Sequence, residues 1–286
     1  MKKITWIMLL TTLITGSAIV AKAQQSSILG GAPPLDGVFI PEHLGMRKPI
    51  AYTHVREADV MWSKRVWRMI DLREKINHPL RYPEEKLKDR QSLFHVIADG
   101  LNSGQLHDYD ALDDEFAIEL TPTLTKAVLE PTKQILKQDL ETGEMDTVIV
   151  PDPISASAIS KFFVKEDWFF DKQRSVMDVR IIGIAPMKLK RDENGEARGD
   201  EILFWVYFPE CRPLFATREV FNRGNGVERR TFDDIFAKRL FSSYIFKEEN
   251  VYDRVINEYA QGLNALLESE RIKEQIFETE HDLWHF

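Results

Sequence analysis

The sequence predicts an α+β protein of two related lobes, each with short antiparallel strands and helices, plus an extended N-terminal arm and a C-terminal helix. Three observations carry that prediction. A pattern occurs twice: Ile70-Asp71-Leu72-Arg73 leads after five residues to Pro79-Leu80, and Met177-Asp178-Val179-Arg180 leads after five to Pro186-Met187. Aromatic anchors precede the two copies at equal distance, Trp62 in one and Phe169 in the other. Such fixed spacing points to internal duplication, with Asp71 matching Asp178 and Pro79 matching Pro186. Apolar and β-branched residues also crowd two runs, Val176 to Ala185 and Glu201 to Phe208, around a polar turn at Arg191 to Gly195, as in a long hairpin. Stripes of helical period then recur, at Leu93-Phe94-Ile97-Leu101 and again at Ile235-Phe236-Leu240.

Residues 1–23 read as an export signal. Lys2 and Lys3 precede an uncharged apolar stretch, Ile4 to Val20, and Ala21-Lys22-Ala23 gives a small-x-small cleavage site with a mature start at Gln24. The stretch is short for a membrane span and is interrupted by Thr and Gly. No cysteine follows the cleavage site, so lipid attachment of the usual kind is not expected. Residues 24–59 form the arm. Gly30-Gly31-Ala32-Pro33-Pro34, Asp36-Gly37, Pro41 and Pro49 oppose regular structure, yet Leu35, Val38, Phe39, Ile40, Leu44, Met46, Ile50 and Tyr52 are too apolar for a solvated tail. An extended arm with such hooks suits docking on a partner.

The first lobe is assigned to residues 60–150. Trp62, Val66, Ile70 and Arg73 fit helical spacing, whereas Val66, Ile70 and Leu72 fit one strand face; the duplication favours strands. Gln91 to Leu101 predicts a helix stopped by Asn102-Ser103-Gly104, and Leu124 to Lys137 a second. Glu141-Thr142-Gly143-Glu144 is a turn, and Pro151-Asp152-Pro153 marks the lobe boundary. The second lobe, 151–286, holds the two apolar strands, a tight turn at Arg223-Gly224-Asn225-Gly226, and a helix over Asp233 to Phe246 with Leu240 inward. A final helix is expected to start at Asn250 as cap, with Asp253 in its first turn and Val251, Val255, Tyr259, Leu263 and Leu266 as the buried stripe. The aromatic tail Trp284-His285-Phe286 is a further surface for a partner.

Composition narrows function. The formal net charge is −8, and losing Lys2, Lys3 and Lys22 with the signal takes it to −11. An acidic chain lacks the basic surface on which nucleic-acid binding rests. The single cysteine, Cys211, excludes an internal disulfide and reads as a half-buried thiol after a strand. His281 and His285 share a helix spacing that is half of a zinc site, without a third ligand cluster. Asp108, Asp110, Asp113, Asp114 and Glu115 form an acidic loop without the Gly turn and terminal Glu of an EF-hand. There is no nucleophile elbow and no P-loop, so no catalytic, cofactor or metal residues are assigned. Arginines at 47, 65, 68, 73, 174 and 180 outnumber what a cleft needs. Arg beside Trp is a recognition pairing, though pairing with Asp71 or Asp178 would make them structural. The candidate partner contacts are Phe39, Ile40, Trp62, Arg65, Trp67, Trp168 and Phe169.

Four blocks together resemble the GldN/PorN family of gliding-motility and type IX secretion proteins. They are VMWSKRVWRMIDLREKINHPLRYP (Val60 to Pro83), KEDWFFDKQRSVMDVRIIGIAP (Lys165 to Pro186), LFWVYFPECR (Leu203 to Arg212) and DDIFAKRLFSSYIFKEENVYDR (Asp233 to Arg254). The resemblance implies a non-enzymatic periplasmic ring component beneath the outer membrane. It implies a GldK/PorK-type lipoprotein as partner and contact with the periplasmic part of a GldM/PorM-type motor protein. No catalytic residue comes with the family. The competing expectation is an exported envelope enzyme or metal-dependent hydrolase using the acidic loop or the terminal histidines.

Overall fold

An antiparallel sheet organises the computed structural model, which describes residues 46–87, 90–138, 145–191, 197–222, 224 and 228–283. Among the described residues, a short 3-10 turn (Glu57–Asp59) leads into strand β1 (Val60–Asp71), followed by helices α1 (His78–Arg81) and α2 (Leu93–Asn102), strand β2 (Asp108–Tyr109) and helix α3 (Pro122–Leu129). A separate hairpin follows, β3 (Thr132–Gln138) with β4 (Met145–Pro151), and then the long strands β5 (Ile159–Asp171) and β6 (Val176–Arg191). β7 (Ala197–Ile202), β8 (Trp205–Tyr207), α4 (Phe208–Thr217), the short pair β9 (Glu219–Val220) and β10 (Arg230–Thr231), and α5 (Phe232–Ala237) come next. β11 (Tyr244–Glu248), α6 (Ile256–Tyr259) and α7 (Leu263–Asp282) complete it. The sheet order is β11-β1-β5-β6-β8-β2, with β7 paired to β6.

Alternation along the central strands sorts their side chains onto two faces. Ile70, Phe162, Val164, Ile184 and Val206 enter the main core with Leu93, Phe94 and Ile97 of α2, Phe208 and Phe215 of α4, and Phe232 and Phe236 of α5. The neighbouring residues Trp67, Met69, Phe163, Ala185, Met187 and Trp205 pack together as a second cluster, against which Phe116 of the loop 110–118 lies. Each fully buried aromatic such as Phe215 contributes roughly 2–3 kcal/mol of gross burial energy, which is why the sheet is framed by aromatic residues. Helix α2 starts where expected because the Ser92 side chain accepts the His95 amide, and it stops at Gly104, whose φ of 68° suits glycine.

Gly183 of β6 faces Phe116. A Cβ there would stand 2.5 Å from the Phe116 ring and 3.3 Å from Trp205. The ring has little freedom to retreat, since Phe116 sits at φ 60° in a loop held by the Asp113 carboxylate. Gly183→Val is therefore expected to cost about 1–3 kcal/mol by overpacking, read as a lower urea midpoint at unchanged m-value. An unchanged midpoint would mean that the loop yields freely.

The α+β class stands, but the duplication does not map onto matching elements. Asp71 ends β1 and Asp178 lies near the start of β6, while Pro79 opens α1 and Pro186 sits in β6 opposite Phe162. β1 and β6 both pair with β5, so the strands assigned to separate lobes share one sheet. β1 lies between β5 and β11, and Pro151-Asp152-Pro153 is the end of a hairpin and not a break between sheets.

Three helices also end or begin elsewhere than the periodicity suggests. α3 stops at Leu129 because Pro131 disfavours helical geometry at Glu130, whose φ and ψ are −125° and 67°. The chain then becomes a strand instead of continuing as helix to Lys137. α5 stops at Ala237, and Arg239 adopts φ 51°. Asn77 then clamps the backbone of Ser242 through two hydrogen bonds at 2.9 Å, turning the chain into β11 and leaving Leu240 exposed. In the run Glu201 to Phe208, β7 and β8 are separate strands, and Phe208 already begins α4, where Pro209 suits a first helical turn.

The C-terminal helix has a different start and a different face. Asn250 accepts the amides of Tyr252 and Arg254 and closes a loop in place of capping a helix. Gly262 at φ 58° separates α6 from α7. The residues of α7 that meet the body are Ser269, Ile272 and Ile276, joined by Ile256, Val66 and Ile245. Ser269 also accepts the Ile245 amide at 2.8 Å, so α7 is tied to the outer strand β11. Val251, Leu263 and Leu266, expected inside, are exposed.

Candidate interaction surface

The strand register explains where the sequence-selected residues go. Arg65 lies opposite Asp167 and forms a two-pronged ion pair at 2.6 and 2.8 Å. Trp67 is buried, donates its indole N–H to Asp114 at 2.8 Å, and carries the ammonium groups of Lys247 and Lys165 over its ring at 4.5 and 5.7 Å. Phe169 is buried beneath Arg180. Trp62 and Trp168 are half-buried against the cluster that docks α7. Trp67 and Phe169 thus belong to the interior, and Arg65, Trp62 and Trp168 are largely engaged within the fold. The Arg-Trp neighbourhoods that suggested recognition arise because paired strands set cations beside carboxylates and rings. Phe39 and Ile40 lie outside the described residues, as do residues 1–45 generally, the turns at 141–144 and 192–195, most of the turn at 223–226, and the tail from Trp284.

Two charge networks are deeply built. Glu166 is fully buried, receiving both terminal guanidinium nitrogens of Arg239 at 3.1 and 3.2 Å and the Trp168 indole at 3.1 Å. Lys165, on the other sheet face, donates to the Asp114 carbonyl at 2.6 Å, and burial pushes its pKa down. Arg73 pairs with Asp71, and Arg174 bridges Asp171 and Asp178 at 2.7 and 2.9 Å. The arginine surplus read from the sequence is in large part structural.

The acidic loop is folded around its own carboxylates. Asp113 accepts the amides of Glu115, Ala117 and Ile118, and those hydrogen bonds, that from Ile118 foremost, hold its pKa below the usual range. Asp114 engages Trp67 and Lys165, and Asp108 accepts the Thr125 hydroxyl at 2.8 Å while burial raises its pKa. Among the described residues, no group of three or more His, Cys, Asp or Glu is placed to hold a metal ion. His281 lies on α7, and His285 is outside the described residues.

Cys211 is fully buried in α4 and not half-buried after a strand; its thiol donates to the Tyr207 carbonyl at 3.4 Å, and burial pushes its pKa up. A maleimide or iodoacetamide reagent is expected to leave it untouched in the native protein and to label it fully in denaturant, as followed by mass spectrometry. Native labelling at the denatured rate would contradict the burial.

What remains open to a partner lies elsewhere. The arm's last residues are seated on the body: Arg47 pairs with Asp234 at 3.1 Å, and the Arg212 guanidinium donates to the Ile50 carbonyl at 2.7 Å. Arg212 and Arg180 stand over the Tyr52 ring at 4.1 and 5.1 Å, and Arg180 also donates to the Thr53 carbonyl. Arg212 in turn pairs with buried Asp233 at 2.9 Å. Beside α1 lies a groove of about 630 Å³ lined by His78, Pro79, Tyr82, Leu87, Arg90 and Phe221 among others. Along α7, Leu263, Leu266, Leu267 and Phe277 form an exposed apolar stripe interspersed with Glu270 and Glu274. No helix among the described residues is long and apolar enough to cross a membrane.

Sequence reasoning missed Tyr52 and Arg212 as an anchoring pair, and Tyr82 and Phe221 as groove walls. Each groove wall is an aromatic residue beside a turn former, Tyr82-Pro83 and Phe221-Asn222, but nothing local in the sequence places the two together. Residues 55–285 match the model of the family described as Gliding motility associated protein GldN. No curated protein matches the chain.

Proposed function

The chain belongs to the GldN family of gliding-motility-associated proteins, and on that premise we propose that it is a structural, non-enzymatic ring component of the type IX secretion and gliding machinery. In this reading residues 1–23 direct export and are removed. The mature protein sits in the periplasm against the outer membrane through a GldK/PorK-type lipoprotein. Copies form a ring with that lipoprotein, and the ring meets the periplasmic domain of a GldM/PorM-type motor protein.

The observation that carries this reading is the division of labour among the side chains. Groups able to do chemistry are largely committed to the fold: Cys211 to the core, Asp113 and Asp114 to their loop, and Glu166 to Arg239. Apolar surface, by contrast, is left uncovered on α7 and around Phe221. Exposed apolar side chains grouped in this way suit protein–protein contact. Charge adds a requirement. Subunits of net charge near −11 after signal removal repel one another when packed in a ring, so either apolar burial between subunits or positive surface on a partner must offset that repulsion.

Co-expression of the mature chain with the lipoprotein, followed by co-purification and electron microscopy, tests the reading. Co-elution in ring-shaped particles is the expected result. A chain that stays separate from the lipoprotein would contradict it.

A further inference from the structure

The groove beside α1 has a chemistry that selects its ligand. Tyr82, Leu87 and Phe221 remain about half exposed while converging on it, and Pro79 and Pro83 complete the apolar walls. Arg90 stacks over Phe221 at 5.2 Å, and Lys75 lines the same space with Glu84, so the rim carries two cations against one carboxylate on a chain whose net charge is −8. Exposed aromatic and proline walls bind extended, proline-bearing peptides, whose backbone is held in advance and loses little entropy on docking. Basic groups at the rim add a preference for acidic flanks.

One segment of this protein has that composition. Residues 33–42, Pro33-Pro34-Leu35-Asp36-Gly37-Val38-Phe39-Ile40-Pro41-Glu42, contain three prolines, two acids, no Lys or Arg, and the apolar run Val38-Phe39-Ile40. The first described residues are tied to the strand pair that leads into Phe221. Arg47 donates to the carbonyl of Arg229 at 3.3 Å, and neighbouring Arg230 pairs with Val220, the residue before Phe221. The six-residue step from Arg47 back to Pro41 has a maximum reach on the order of 20 Å, a length sufficient for the apolar run to meet a neighbouring copy.

We propose that the groove of Tyr82, Arg90 and Phe221 receives residues 33–42 of a second copy of this chain, so that each subunit's arm fastens onto the next. A head-to-tail contact of this kind joins unlike surfaces and propagates into a ring when the rotation closes. The inference rests on the self-association proposed above and names the surfaces that carry it.

The test uses the full mature chain with photoreactive p-benzoylphenylalanine at position 39, mixed with an isotopically heavy copy that lacks the probe, together with the lipoprotein. Illumination, digestion and mass spectrometry then locate the links, while sedimentation reports assembly. The expected result is a light-to-heavy link into residues 75–90 or to Phe221. Its yield should fall roughly tenfold when the heavy copy carries Phe221→Ala, as for loss of an aromatic anchor, and should be unchanged with Phe277→Ala. Arg90→Glu is a second recipient variant that removes the cation while leaving the apolar walls, and circular dichroism confirms that each variant is folded. Links confined to one chain, or landing on another surface of an assembled particle, overturn the groove assignment alone. An absence of inter-copy links together with a persistent monomer overturns both this inference and the ring reading.

Discussion

Arg239→Met is expected to destabilise the protein by about 3–5 kcal/mol, the usual consequence of leaving one partner of a buried ion pair without its counter-charge. Glu166 has no exposure to water, and two of its contacts come from this one guanidinium. The remaining donor, the Trp168 indole, is neutral. Arg68 on the adjacent strand lies near enough to feel the Glu166 charge, but its hydrogen bonds go to Ser243, at 2.9 Å to the hydroxyl, and not to the carboxylate. Urea unfolding followed by far-UV circular dichroism measures the loss. The double variant Glu166→Gln with Arg239→Met should recover part of it, because a buried neutral amide costs far less than a buried charge. A single-variant loss below about 1 kcal/mol would mean that water or a rearranged arginine reaches the carboxylate.

The second large effect concerns where the arm ends. A chain beginning at Met46 is expected to unfold with the midpoint of the mature protein, whereas one beginning at His54 should lose about 2–3 kcal/mol, the combined scale of two charge-assisted hydrogen bonds and a cation–π sandwich. Removal through Thr53 strips Arg212 and Arg180 of the carbonyls of Ile50 and Thr53 and of the Tyr52 ring. Arg212 keeps Asp233, which bounds the loss from above. Thermal and urea melts of the two truncations decide it. Equal stability for both would detach residues 46–53 from the body, and the anchoring role of Tyr52 would fall.

These two sites show what was legible in the sequence. The strand at Val176 to Ala185, the helix capped by Ser92 and the α+β class follow from period and capping chemistry, which are local. The errors came from long-range pairing and from single residues that stop an element. Trp67 and Arg65 resemble recognition residues until register sets them beside Asp114 and Asp167, at sequence separations of 47 and 102. Pro131 and Arg239 each ended a helix whose apolar stripe continues in the sequence, since a stripe records burial and not backbone geometry. The repeated Asp-x-Arg motif falls on unlike structure: the first copy runs off the end of β1, where Arg73 returns to Asp71, whereas the second lies within β6, where Arg180 reaches the arm. Of the site itself, the hooks of the arm were visible as composition. The groove was not, because Tyr82 and Phe221 meet only through the fold.

Sedimentation velocity of the mature full-length chain, alone and with the lipoprotein at several salt concentrations, tests the central claim that this protein works by assembling. Alone at low salt it should sediment as a monomer or small oligomer, because an acidic subunit repels its copies when counter-ions are scarce. Adding the lipoprotein should produce one large, closed species. Stable full rings of the chain alone at low salt would contradict the charge argument, and a monomer under every condition, with the lipoprotein present and folded, would contradict the structural role itself.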